Sequence, residues 1–185
     1  MKSRPSVIES FNFAIEGVIH VLRTQRNMRI HFGAAVVVIV VSVAVGVSKI
    51  ELIVLLLSIA FVLIAEMINT AIEGTIDAAT TSFDPMAKLA KDIAAGAVLI
   101  ASVNAIAVGY LVFAGKAADN TADVLDRVRN APAEISLVAL VLTVIIVIAT
   151  KAWTGRGTPL RGGLPSGHAA VAFAGIVMLC VSRSV

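Results

Sequence analysis

The chain has 185 residues, 58% of them hydrophobic, and a mean hydropathy of +0.96. Soluble domains run nearer about 45–50% apolar, and here the excess is gathered into blocks, which predicts an integral membrane protein. A net charge of +3, clustered beside those blocks, suits membrane surfaces and phosphate groups, while 5% aromatic residues offer no stacking platform for nucleic-acid bases. The single cysteine, Cys180, excludes an intramolecular disulfide and a zinc cluster. About thirty amphipathic and basic residues precede the first apolar block and no small-residue cleavage site follows it, so no secretory signal is expected.

In chain order, residues 5–26 predict an amphipathic helix lying in the membrane interface. Val7, Ile8, Phe11, Ile15, Val18 and Leu22 form one stripe, and Glu9, Glu16, His20 and Arg23 the other. Apolar segments then run from Phe32 to Val47, Leu52 to Thr75, Ile93 to Phe113, Ile135 to Thr150 and Ala169 to Val181. Each can reach across about 30 Å of hydrocarbon, the first, fourth and fifth being short for it. Lys2, Arg4, Arg23, Arg26 and Arg29 ahead of the first span, and Lys88 and Lys91 between the second and third, predict a cytoplasmic N-terminus and a cytoplasmic second loop. The fold expected is all-α: a surface helix and a three-span bundle over residues 1–115, a polar linker over 116–133, and a C-terminal unit, 134–185, with one or two further transmembrane helices.

Within the second span, Glu66 interrupts the apolar run and is followed by Asn69, Glu73 and Asp77. At about 100° per residue these four side chains fall within an arc of roughly 80°. A carboxylate near membrane depth is costly and marks a functional site by default. Lys91 and Asp92 open the third span at the depth of Glu73 and Asp77, ahead of the small residues Ala94-Ala95-Gly96-Ala97 that permit close helix approach. Acids in such a pocket can hold Mg²⁺ together with substrate phosphates, a lysine can neutralise phosphate charge, and a deep carboxylate can accept the proton of a lipid hydroxyl. These residues point to metal-dependent phosphate chemistry on a lipid and leave its direction, transfer or hydrolysis, open. No P-loop or protein-kinase signature is present in the sequence.

Three stretches, Arg26-Asn27-Met28-Arg29-Ile30-His31, Glu66-Met67-Ile68-Asn69-Thr70-Ala71-Ile72-Glu73 and Ala87-Lys88-Leu89-Ala90-Lys91-Asp92 with the following Ile93 to Leu99, resemble the small prokaryotic integral-membrane diacylglycerol kinase and undecaprenol kinase family. The resemblance covers roughly residues 5–115. It implies transfer of the ATP γ-phosphate to a lipid hydroxyl with Mg²⁺, by a homotrimer with shared active sites at the cytoplasmic surface of the bacterial plasma membrane. It implies Glu66 as catalytic base, Asn69 and Glu73 at polar and metal-binding positions, and Phe13, Lys91 and Asp92 around the nucleotide, where the polar ladder also places Asn69 and Asp77. Gln25 departs from the pattern: it stands where the family usually carries a second metal-binding glutamate. Either metal affinity is weakened or another acid, such as Glu16, compensates.

Residues 151–168 form a basic, glycine-rich loop leading into Pro165-Ser166-Gly167-His168. Backbone N–H groups at a helix start, with Arg and Lys nearby, make an anion site. The tetrapeptide resembles the second signature motif of the type-2 phosphatidic acid phosphatase superfamily. Ser166 is placed as an N-cap with His168 in the first turn, and the resemblance implies His168 as proton donor to the leaving group, with Lys151, Arg156 and Arg161 as candidate phosphate holders. Thr158-Pro159 stands where that superfamily has Arg-Pro, and neither histidine nor acid follows His168, so the segment is expected to be truncated or vestigial. A phosphatase-like segment fits best beside undecaprenol recycling, in which one carrier lipid is both phosphorylated and dephosphorylated. The sequence thus predicts a lipid kinase acting on undecaprenol or diacylglycerol. The alternatives are a non-catalytic membrane protein of the same fold and a fragment of a lipid phosphatase using His168.

Overall fold

The computed structural model describes residues 6–116 and 132–154, and every regular element among them is helical. The elements are α1 (Val7–Thr24), α2 (Arg26–Ala44), α3 (Lys49–Ala79), α4 (Pro85–Lys116) and α5 (Pro132–Thr154). Three of them, α2, α3 and α4, are long and apolar enough to cross a membrane, and Leu137–Thr150 is a shorter apolar stretch within α5. The expected fifth segment, residues 169–181, and most of the expected linker lie outside the described residues.

The helices run past the apolar blocks that announce them. At 1.5 Å per residue, the 31 residues of α3 extend about 46 Å, well beyond a hydrocarbon layer of about 30 Å. The expected end at Thr75 is thus overshot to Ala79, because polar residues outside the hydrocarbon still propagate a helix already nucleated within it. The expected end of the first span at Val47 is instead undershot, at Ala44. There Gly46 takes a left-handed φ of 62°, Gly46 N–H donates to Val43 O at 3.1 Å and Val47 N–H to Ser42 O at 3.1 Å. This pair of bonds is the Schellman stop, and glycine adopts its positive φ without a Cβ penalty.

Local caps set the other ends. Ser48 and Glu51 exchange the two bonds of a capping box at the start of α3, as Ser6 and Glu9 do for α1. The bond from the Ser6 backbone N–H holds the Glu9 carboxyl below its ordinary range. Asp84 accepts from Met86 N–H at 2.8 Å, with Pro85 in the first helical position of α4, where its missing N–H costs nothing.

The described residues fall into two compact units, one comprising residues 6–29 with 132–154 and the other residues 30–116. In the first, α1 packs on α5, whose Val138 is buried. On α1, Leu22 of the expected apolar stripe is buried, Ile15 and Val18 are half-buried, and Val7, Ile8 and Phe11 are exposed. In the second, α3 and α4 pack along one another as a hairpin. The buried face of α3 is Leu52, Leu55, Ser58, Val62, Glu66 and Asn69, a three-and-four spacing that places two polar side chains in line with four smaller or apolar ones. Near the other end of the hairpin, Lys116 of α4 meets Glu51 of α3 at 3.6 Å.

Candidate active site

The polar ladder of α3 grades from buried to exposed. Glu66 is 1% exposed and Asn69 7%; Glu73 is half-buried, and the Asp77 side chain is 67% exposed. One unbroken helix therefore carries the set from the apolar core toward the aqueous surface. The Asn69 amide donates to Glu73 Oε1 at 3.0 Å, a contact one turn apart that fixes both rotamers. Thr70 Oγ1 donates to the Glu66 carbonyl at 2.9 Å, so it supports the backbone and not the carboxylate.

Two acceptors on this face have no hydrogen-bond partner: Glu66 Oε2 and Asn69 Oδ1. Buried polar atoms are nearly always satisfied, because leaving one without a partner costs about 1–3 kcal/mol. Two orphaned acceptors side by side on one helix face therefore mark a place arranged for something that donates or coordinates.

Across the hairpin, Lys91 of α4 forms an ion pair with Asp77, while Asp92 turns away to Lys88 on its own helix at 2.6 Å. Lys91 is thus brought to the ladder and Asp92 is not. His31, on α2, lines a groove between α2, α3 and α4 together with Val62 of α3, which lies one turn from Glu66. The sequence reading quotes His31 only within a motif and gives it no role. Its signal is faint: a single ring at the start of an apolar helix, meaningful only once α2 and α3 are placed side by side.

Among the described residues, no group of three or more His, Cys, Asp or Glu side chains is gathered as a metal cage. That donor set still suits Mg²⁺, which is usually bound by one or two carboxylates plus substrate phosphates. The unsatisfied oxygen of Asn69, one turn from the Glu73 carboxylate, is a hard acceptor of the kind such an ion takes. Phe13 is exposed on α1 and Gln25 follows that helix; both belong to the first compact unit, whereas the ladder belongs to the second. Of the phosphatase-like residues, Arg156, Arg161, Ser166 and His168 lie outside the described residues, and Lys151 falls on the backbone of α5.

Residues 12–113 match the family described as prokaryotic diacylglycerol kinase. Over 106 residues the chain is 42% identical to a Synechocystis protein named diacylglycerol kinase, a match covering 57% of this chain and 61% of that one. Over 108 residues it is 40% identical to a Bacillus subtilis protein named undecaprenol kinase, covering 58% of this chain and 88% of that one. The chain thus spans about three fifths of the Synechocystis relative and most of the Bacillus one. No solved structure matches. The family match stops at residue 113 and does not bear on residues 151–168. With over half of its length within that match, and with apolar helices embedding it in a membrane, the chain belongs to the prokaryotic diacylglycerol kinase family, whose relatives here are named as lipid kinases.

Proposed function

We infer that the protein transfers the γ-phosphate of ATP to the hydroxyl of a membrane lipid, with Glu66 as general base. The observation carrying this reading is the buried Glu66 carboxylate with one oxygen unpartnered, at the head of a polar ladder that leads to Lys91. The lipid hydroxyl oxygen forms the new bond to the γ-phosphorus, the bond to the bridging oxygen of ADP breaks, and the hydroxyl proton passes to Glu66. Lys91, released from Asp77, neutralises phosphate charge, and Asn69 holds Glu73 in place. Glu73 would hold Mg²⁺, which would supply neutralising charge to the phosphates, and Gln25 stands at the position for which the resemblance implies a second ligand. Phe13, Asp77 and Asp92 complete the nucleotide environment in this reading. The active site faces the cytoplasm, as the basic residues flanking α2 and α4 favour, and the resemblance implies a homotrimer in the bacterial plasma membrane.

The lipid is undecaprenol or diacylglycerol, the two named by the relatives. The test is phosphate transfer from γ-labelled ATP in mixed micelles offering both. Label in one lipid, lost in Glu66→Gln, establishes the activity and the substrate together; no label in either at high Mg²⁺ refutes it. Gln25 adds a separate prediction: Gln25→Glu lowers the Mg²⁺ concentration needed for half-maximal activity, and an unchanged requirement removes Gln25 from the metal site. The basic loop 151–168 is read as a phosphate-holding segment. Vanadate-sensitive release of phosphate from a lipid phosphate, surviving Glu66→Gln but lost in His168→Ala, would instead assign it a phosphatase activity.

A further inference from the structure

The unbroken helix α2 is divided lengthwise into two arcs. Met28, Phe32, Ala35, Ile39 and Ser42 are buried, and at about 100° per residue they fall within roughly 80° of one another. On the opposite side, Arg26, Arg29, Ile30, Val37, Val40 and Val41 are exposed and fall within roughly 120°. This outer arc is headed by charge and is apolar below it. From Ile30 to Val41 it rises about 17 Å, close to the half-thickness of a hydrocarbon layer of about 30 Å. Gly33 lies in the same arc one turn below Arg29, and a Cβ built there meets nothing within 4 Å, so the helix surface between Ile30 and Val37 is an open trough.

No acid answers the two arginines. The sequence holds neither Asp nor Glu between Glu16 and Glu51, and the first turn of α2 carries none. Among the described residues neither Arg26 nor Arg29 forms an ion pair. Arg29 Nη1 donates to the Arg23 carbonyl at 3.4 Å, which folds that guanidinium over the bend at Gln25 and uses one of its five N–H donors. Three positions apart on one helix, Arg26 and Arg29 are surface neighbours. Met28, between them in sequence, faces the other way and is 1% exposed, so the arginine pair is turned away from the buried face of its helix.

We propose that the outer arc of α2 is a docking site for one anionic phospholipid of the bilayer, with its phosphate held by Arg26 and Arg29 and one acyl chain lying along Ile30, Gly33, Val37 and Val41. Charge complementarity decides the occupant. Guanidinium groups take phosphate oxygens in pairs, and a headgroup with no cation of its own leaves that phosphate charge for the protein to answer. A zwitterionic headgroup brings an ammonium that the arginines repel, and a second copy of this chain would have to bring an acid to their level. The apolar length below the arginines suits a chain confined to one leaflet. This lipid is held on the outside of the bundle and is not the reacting one, so the site is independent of the kinase reading.

The experiment is native mass spectrometry of the full chain released from nanodiscs holding equal amounts of phosphatidylglycerol and phosphatidylcholine with matched acyl chains. A basic residue at the surface favours anionic lipid about fivefold, so the pair is expected to retain phosphatidylglycerol over phosphatidylcholine roughly twentyfold. Arg26→Gln combined with Arg29→Gln is expected to abolish that preference. Lys49→Gln combined with Lys116→Gln removes the same charge elsewhere and is expected to keep it. Equal retention of both lipids, or a preference that survives loss of the two arginines, overturns the proposal, because the attraction would then belong to the net charge of +3 and not to a site. Gly33→Leu fills the trough and is expected to lower bound phosphatidylglycerol several-fold with the arginines intact. Bound lipid unchanged in Gly33→Leu overturns the placement of the acyl chain, and a changed oligomeric mass with the lipid still bound assigns the arc to a second copy instead. Ala34→Leu, at the neighbouring exposed position, repeats the test should Gly33→Leu fail to fold.

Discussion

Glu51 and Glu66 sit on the same helix, and their surroundings are opposite. Glu51 accepts the Ser48 N–H at 2.6 Å, closes a capping box and meets Lys116 at 3.6 Å, with its side chain 31% exposed. Glu66 is 1% exposed and keeps an oxygen without a partner. One carboxylate is spent on holding a helix end and a hairpin; the other is kept available at a cost in stability. The difference is what supports the proposed role of Glu66, because an unsatisfied buried acceptor persists only where the surrounding fold over-determines it.

The largest test of this contrast is the paired substitution. Glu66→Gln is expected to lower γ-phosphate transfer about 10²–10⁴-fold, the usual contribution of a positioned general base, with the melting temperature unchanged or raised. Glu51→Gln is expected to leave transfer within twofold and to lower stability by about 0–1 kcal/mol, as for a partly exposed ion pair. If the two variants lose activity equally, the contrast does not mark the active site.

Next in size is Lys91→Ala. A charge-assisted contact to phosphate contributes about 1.5–3 kcal/mol, so KM for ATP should rise roughly tenfold to a hundredfold with KM for the lipid unaltered. A rise in the lipid KM alone would move Lys91 out of the nucleotide site. Smallest is Ser48→Ala, which removes the cap that Glu51 supports. It should cost about 1 kcal/mol in thermal unfolding and leave the kinetics unchanged.

Much of the helical layout is legible in the sequence, because apolar blocks of membrane length and caps such as Ser48 with Glu51 are local signals. The exact ends are less so: Ala79 lies beyond the apolar block that predicts α3, and Gly46 stops α2 earlier than hydropathy suggests. The ladder from Glu66 to Asp77 is legible as well, since one helix's periodicity places all four on a face. What crosses between helices is not. That Lys91 joins Asp77 whereas Asp92 turns to Lys88 depends on the register of α4 against α3, which neither segment encodes alone. His31 gains meaning only beside α3, and a groove is a property of the space three helices leave unfilled. The packing of α5 on α1 is equally silent in hydropathy, which ranks segments but does not pair them.

That α3 carries groove wall and acid ladder as one uninterrupted rod has a consequence for how such a sequence can change. The two are held in phase by residue count alone. A one-residue insertion between Leu55 and Glu66 would turn the carboxylate about 100° away from the wall and sever them. Seven added residues, close to two full turns, would restore the phase to within about 20° while lengthening the wall. Length changes along this stretch therefore keep the phase only in near-heptad steps, each of which would lengthen the wall ahead of the ladder.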